Sequence, residues 1–397
     1  MAGNDDLYQD DVLSREQLEE LWGGPLPEIT PEHQIIADTI TRGRKELAPY
    51  IMMKFFPYEE AKLAVLLPGT AEDVAAKAGR PVEEVRKLLD NCAYHGRIMK
   101  WDDGSYSLIR SLANFKDYVL ANGEWDDEYD RAGFRMMHEW DFMGNAFTGF
   151  KGDRLKSQRI TPKWESIKDI PGVMPCENIP ESFRQAARNG TVAFTRCPCR
   201  TCTYKGSNEN AEYVPTSRTG IDDGGGGRDP KQYVCITGKE RADYMVEFCG
   251  AYRPTMEEVE ERIIAMEASA AYYCGANLRE YTSHCCCADD VGCTPRVNYD
   301  KGNEDYFAKS RFLAYLDEPD ACVGCGTCEN ICQFKKSVRV IDGKAQVDEN
   351  RCHGCGVCVT RCPSKALKMK LVRPPEHIPR REDLVALPFD GMEKRVD

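Results

Sequence analysis

The sequence predicts a multidomain α+β chain, and three observations carry that expectation. Its 397 residues leave room for two or three domains and a sizeable core. Its 20 cysteines are unevenly placed: only Cys92 and Cys176 precede residue 190, and the other eighteen follow. Helical periodicity marks the N-terminal part, while alternating strands and turn signals mark the C-terminal part. A region folded by ordinary burial therefore precedes one organised around sulfur.

Residues 1–45 read as an acidic, proline-containing N-terminal arm, opening MAGNDDLYQDD and suited to wrapping a neighbouring subunit. Residues 46–112 follow the order helix, helix, helix, hairpin. EEAKLAVLLPG ends at Pro68-Gly69, and TAEDVAAKAG is a short capped helix stopped by Gly79. PVEEVRKLLDNCAYHG starts on a proline and sets Val82, Val85, Leu88, Leu89 and Cys92 on one face. RIMKWDDGSYSLI gives two short strands about Asp103-Gly104. This order resembles a winged helix. The charge speaks against DNA, because Glu83, Glu84 and Asp90 oppose Arg86 and Lys87, and the net charge of the chain is −12. Residues 113–195 form a connecting α/β segment, in which FRMMHEWDFM, with His138, reads as core.

Residues 196–300 are the cysteine-rich middle. AFTRCPCRTC supplies Cys197, Cys199 and Cys202; then come Cys235, Cys249, Cys274 and the run His284, Cys285, Cys286, Cys287, with Cys293 beyond. In an extended segment Cys197 and Cys199 would face one side. Between these groups, PTMEEVEERIIAMEASAAYY reads as a helix with Thr255 and Glu258 as a capping box and Val259, Ile263 and Met266 on its apolar face. That helix is expected to bring the two cysteine groups together across a core. The expectation is a third metal site, an iron–sulfur cluster or zinc, drawn from Cys197, Cys199, Cys202, Cys235, Cys285, Cys286 and Cys287; reduced buried thiols and a redox-active pair are the alternatives. The GGGG stretch within SRTGIDDGGGGRDPK lacks the lysine pattern of a phosphate-binding loop and reads as an inserted loop.

The firmest chemistry lies further on. Cys322, Cys325, Cys328 and Cys332 are spaced C-x2-C-x2-C-x3-C, and Cys352, Cys355, Cys358 and Cys362 repeat the pattern 30 residues later, together with Gly324/Gly354 and Gly326/Gly356. A tight loop can present three thiolates of such a run to a cubane cluster, and the fourth must come from elsewhere. Paired zinc knuckles need no run of three with a distant fourth, twice over. SVRVIDGKAQVDE alternates about Asp342-Gly343 as a β-hairpin does, and KALKMKLV reads as a strand.

On these residues, 312–372 resembles a bacterial-type two-[4Fe–4S] ferredoxin domain. The resemblance implies that Cys322, Cys325, Cys328 and Cys362 hold one cluster and that Cys332, Cys352, Cys355 and Cys358 hold the other. Gln333 departs from the pattern at a position where the second copy keeps Pro363. More widely, Cys197, Cys199, Arg200, Cys235 and Cys285 to Cys287 ahead of this domain resemble a family of 4Fe–4S ferredoxin-type proteins of anaerobes, which also carries a winged helix at this position. Residues 373–397 form a docking tail.

The opening residues lack a signal-peptide pattern and no apolar run reaches bilayer length, so the chain is expected in the cytoplasm, where clustered thiols bind metal. No flavin or nicotinamide fingerprint is present. The expected function is low-potential electron transfer as the iron–sulfur subunit of a multi-subunit oxidoreductase in anaerobic metabolism, in a hetero-oligomer with a flavoprotein or metalloenzyme and without nucleic acid. The alternatives are an iron–sulfur reductase using the middle site and, more distantly, a redox-responsive winged-helix regulator.

Overall fold

The structure, a computed structural model, describes residues 13–40, 46–109, 112–121, 128–142, 158–199, 201–202, 234–238, 240–279, 284–287, 307–334 and 336–384. It is mixed α and β. The chain divides into two compact units that interleave in sequence: 1–149 with 195–213 and 243–252, and 150–194 with 214–242 and 253–397. No helix among the described residues is long and apolar enough to cross a membrane.

The first unit begins with α1 (Arg15–Trp22), α2 (Pro31–Ile40), α3 (Ala48–Phe55) and α4 (Tyr58–Ala64). Then follow α5 (Ala71–Ala78), α6 (Val82–Tyr94) and an antiparallel pair, β1 (Ile98–Lys100) and β2 (Tyr106–Leu108), with Ile98 opposite Leu108. The local signals act as expected. Thr70 and Asp73 form a reciprocal capping box at the start of α5, and Gly79 ends it in a left-handed turn at φ 64°. Val85, Leu89 and Cys92 of α6 are buried, whereas Val82 and Leu88 are half-buried. Two further helices, α7 (Leu112–Val119) and α8 (Arg131–Phe142), complete the core. Phe55 packs against Tyr129 at 4.6 Å and Phe134 at 6.0 Å between ring centroids. Met136, Met137 and Trp140 are buried, so the methionine-aromatic stretch is core, as read from sequence.

Beneath α6 lies a buried ion pair. Arg97 Nη1 donates to Glu60 Oε2 at 2.8 Å, with Tyr129 Oη 3.0 Å from the other guanidinium nitrogen. Both charged side chains are at most 5% exposed.

The second unit is built on a six-stranded sheet of order β4-β5-β7-β6-β3-β8. Its strands are β3 (Gln158–Thr161), β4 (Val192–Arg196), β5 (Val234–Gly238), β6 (Tyr272–Ala276), β7 (His284–Cys287) and β8 (Phe307–Ala308). Helices α9 (Ile179–Arg188) and α11 (Met256–Ala268) pack together, joined by a bidentate pair in which Arg184 donates to Glu260 at 2.5 and 2.8 Å; α10 (Glu240–Phe248) precedes α11. The expected Thr255–Glu258 capping box starts α11, and Val259, Ile263 and Met266 are its buried face.

The C-terminal part contains β9 (Phe312–Leu316), α12 (Thr327–Asn330), β10 (Val338–Ile341), β11 (Lys344–Val347), α13 (Val357–Thr360) and β12 (Leu367–Leu371). β10 and β11 form the expected hairpin, with Asp342 at φ 51° and Gly343 at φ 73° as its two-residue turn. β12 returns antiparallel to β9, Leu367 opposite Leu316.

Replacing Arg97 with Met strands the buried Glu60 carboxylate. This should lower the unfolding free energy of the first unit by about 3–5 kcal/mol, seen as an earlier calorimetric transition with the second unit unchanged.

Candidate metal centres

The two cysteine runs fold alike because their glycines do. Gly324 and Gly354 have φ 64° and 71°; Gly326 and Gly356, at φ 76° and 75°, begin the short helices α12 and α13. At Gly354 the requirement is also steric: a Cβ there would lie 2.1 Å from the Phe312 carbonyl oxygen and 2.1 Å from Ser310 Oγ. At Gly326 a Cβ would meet nothing closer than 3.8 Å, so only the backbone conformation demands glycine.

Each loop thus turns sharply, and the folded repeats exchange their ends. Cys322, Cys325 and Cys328 line one pocket together with Cys362 of the other repeat, closed by Val340, Ala345 and Leu367. The thiols of Cys352, Cys355 and Cys358 are raised first by burial and further by the proximity of Cys332 from the other repeat. Cys328, Cys352 and Cys358 lie in one hydrophobic core with Ile167, Phe312 and Leu367. Among the described residues, no three His, Cys, Asp or Glu side chains converge as they would on one metal ion.

The two sets differ in environment. Cys325 is exposed, and hydrogen bonds from Thr327, whose Oγ1 lies 3.4 Å from the sulfur, hold its thiol below the ordinary value. For Cys362, burial acts upward but is outweighed by hydrogen bonds from Ser364 and the backbone at Leu367 and Ala366, so its thiol also lies low. The Ala345 N–H donates to Cys322 Sγ at 3.4 Å. In the other direction, burial pushes the Cys328 thiol up to about 11 and the Cys355 thiol up to about 12, and raises Cys352 and Cys358. Burying four thiols that must become thiolates is favourable only with a cation among them. The donor set, the pocket and the N–H groups directed at sulfur fit a thiolate-ligated cluster.

Residues 345–368 match the family model Fer4, the 4Fe-4S binding domain, which includes Cys352, Cys355, Cys358 and Cys362. The chain carries an iron–sulfur domain. It therefore binds at least one [4Fe–4S] cluster and has the chemistry of electron transfer. No curated protein and no solved structure matches the chain.

Cys235, Cys274 and Cys285 to Cys287 lie on the neighbouring strands β5, β6 and β7, while α11 packs on α9. Cys285 is the register partner of Cys274, and Ile236 pairs with His284, which sets Cys235 opposite Cys285. Cys235, Cys285 and Cys274 therefore occupy one lateral row across β5, β7 and β6. Cys274, absent from the sequence-based set, is buried. Cys286 and Cys287 pair with Tyr273 and Tyr272. Cys197 directly follows β4, but Cys199 and Cys202 are helical, with the Thr201 N–H donating to the Cys197 carbonyl at 3.0 Å; the CPC segment is not extended. Lys116 Nζ donates to Cys199 Sγ at 3.5 Å, and Cys202 is buried. Arg200, Cys293 and the GGGG stretch lie outside the described residues.

Two features at the C-terminal sites escaped the sequence reading. One is the hydroxyl two residues after Cys325 and Cys362, a repeated offset that was legible. The other is the segment Lys163 to Ser166, which packs on the second cysteine loop from 190 residues upstream and carries no local signal. Lys163 N–H donates to the Cys355 carbonyl at 2.9 Å, and a Cβ at Gly356 would lie 2.2 Å from Ser166 Oγ.

Gly354→Ala should lose most of the iron bound through the second loop, whereas Gly326→Ala should cost about 1 kcal/mol and retain its metal, as counted by iron and sulfide per chain. In the folded metal-free chain at pH 7, Cys325 and Cys362 should be alkylated faster than Cys355 and Cys358. The lower pKa gives the larger thiolate fraction, and peptide mass spectrometry reads the order.

Proposed function

We propose that this chain is a low-potential electron carrier with two [4Fe–4S] clusters, acting as the iron–sulfur subunit of a multi-subunit oxidoreductase in anaerobic metabolism. The observation that carries the reading is the pocket where Cys322, Cys325 and Cys328 of one repeat meet Cys362 of the other. A run that closed on itself would use Cys332 instead. The proximity of Cys332 to Cys352, Cys355 and Cys358 supports the second half of the exchange.

A bound cluster supplies one-electron chemistry, at a potential set by hydrogen bonds to sulfur, charge and exposure. The residues around it divide that work. Ala345 N–H and the hydroxyls of Thr327 and Ser364 stabilise negative charge on the first set. The exposed Cys325, beside Val323 at 74% exposure, brings that set to the surface where a redox partner, a flavoprotein or metalloenzyme, exchanges electrons. The second set, with Cys352 and Cys358 buried and no exposed cysteine, serves as the inner station.

A third metal site, iron–sulfur or zinc, is drawn in this reading from Cys235 and Cys285 to Cys287 of the second unit, with Cys274 added by register.

Anaerobically purified chain should contain about eight irons in the C-terminal clusters, with any third cluster additional. Cys362→Ala should remove the signal of the first cluster from the electron paramagnetic resonance spectrum of reduced chain and leave the second. Cys332→Ala should do the reverse. Loss of the second cluster alone in Cys362→Ala would replace the exchanged ligation by self-contained loops.

A further inference from the structure

The two cysteine loops are copies 30 residues apart, so a difference between matched positions isolates what one set has and the other lacks. Two such positions lie against sulfur. Thr327 Oγ1 is 3.4 Å from Cys325 Sγ, and Ser364 Oγ is 3.6 Å from Cys362 Sγ. Both cysteines belong to the first set. Among the described residues neither hydroxyl has another hydrogen-bond partner. The matched residues of the second set are Val357, two after Cys355, and Phe334, two after Cys332, and neither carries a hydroxyl.

The comparison is closest at Thr327 and Val357, which differ by a hydroxyl in place of a methyl. Their backbones act alike: each N–H is hydrogen-bonded to the cysteine sulfur two residues before it. Each loop also enters its short helix from a left-handed glycine, at φ 76° and 75°. The hydroxyl is the local difference.

A thiolate only accepts hydrogen bonds, so each hydroxyl becomes the donor once its cysteine is ionised. Reduction of a thiolate-ligated cluster adds one negative charge, part of which falls on the ligand sulfurs. A hydrogen bond strengthens as its acceptor becomes more negative, so a donor on sulfur favours the reduced state. The first set has two such side-chain donors.

We propose that Thr327 and Ser364 are positioning residues that hold the reduction potential of the first cluster above that of the second, so that an electron shared by the pair rests on the set carrying the exposed Cys325. The proposal rests on the two-cluster reading. The electron comes from an external donor, which in the test is dithionite, and no bond in the protein forms or breaks. An electron received at the second set then moves outward to the first, where exchange with the partner takes place.

The experiment is a redox titration of the full chain, purified anaerobically and followed by electron paramagnetic resonance. It compares wild type, Thr327→Val, Thr327→Ser, Ser364→Ala, the double variant Thr327→Val with Ser364→Ala, and Val357→Thr. The first couple is the one missing from Cys362→Ala, and in wild type it should be the higher of the two. The double variant should lower it by about tenfold in the reduced-to-oxidised ratio at fixed potential, which is 59 mV for one electron, with each single variant giving part of the shift. Thr327→Ser keeps the hydroxyl and should match wild type, and Val357→Thr should raise the other couple. A first couple unmoved in the double variant at full iron content would overturn the assignment. So would a first couple below the second in wild type, an equal shift of both couples, or a Thr327→Ser couple displaced as far as that of Thr327→Val. Loss of iron from Thr327→Val would also overturn it, because the residue would then be needed to hold the metal. A wild-type chain with only one cluster signal would instead remove the two-cluster reading, and the hydroxyl proposal with it.

Discussion

The backbone of the second cysteine loop passes β9 so closely that the Phe312 carbonyl and the Ser310 hydroxyl occupy the place where a side chain at residue 354 would begin. Ser310 Oγ donates to the Gly354 carbonyl at 2.8 Å, and the Ser310 N–H donates to the carbonyl of His353 at 3.0 Å. This contact fixes the loop to the strand, and β9 in turn pairs with β12, which follows Cys362 by five residues. The position of Cys362 is thereby linked to the position of the second cysteine loop. The duplicated spacing gains its chemical meaning from this tie, because cysteines from two repeats meet only if both loops are held to one frame.

That frame also makes the two sets unequal. The hairpin of β10 and β11 covers the first loop with little more than backbone: a Cβ at Gly324 would lie 2.6 Å from the Gly343 carbonyl oxygen. Cys325 consequently stays at the surface. The second loop is covered by Lys163 to Ser166 and by the aromatic group around Phe334, which stacks on His353 at 4.4 Å and meets Tyr272 at a tilt, 5.0 Å between centroids. The first set therefore keeps one exposed thiol, Cys325, beside a hydroxyl, while the second has none exposed and lies beside aromatic rings. Equal spacing in sequence produces unequal electrostatics.

What the sequence discloses is what short-range physics determines. The Asp342-Gly343 turn, the capping boxes at Thr70 and Thr255, the stop at Gly79 and the cysteine runs each depend on residues within a few positions of one another, and each appears in the structure where its pattern lies. The middle cysteines were harder for the opposite reason. Their arrangement follows from strand order in a six-stranded sheet whose register partners lie 11 residues apart at Cys274 and Cys285 and 149 apart at Gln158 and Phe307, and no local pattern encodes that order. Cys274 sits in an ordinary-looking apolar stretch, YYCGA, and becomes a candidate only through its register partner Cys285. The CPC segment misled because a strand, β4, ends one residue before it and a helical turn begins at its second residue, Pro198.

Long-range placement also explains why the C-terminal region does more than a free-standing two-loop module. Ile167 belongs to the same core as Cys328, Cys352 and Cys358, and Trp164, Ile170 and Val173 pack against its edge. A few ångströms away, Arg311 donates to Glu177 at 2.8 Å and to the Gly172 carbonyl at 3.2 Å, with both ion-pair side chains at most 2% exposed. These contacts anchor the 160s and 170s to β9 by interactions that break only with a large penalty, since either charge left alone in the interior costs several kcal/mol. The segment is therefore a fixed wall and not a loose cover. In this chain the wall is the part that the cysteine motif does not encode, and it decides the electrical environment in which the encoded part works.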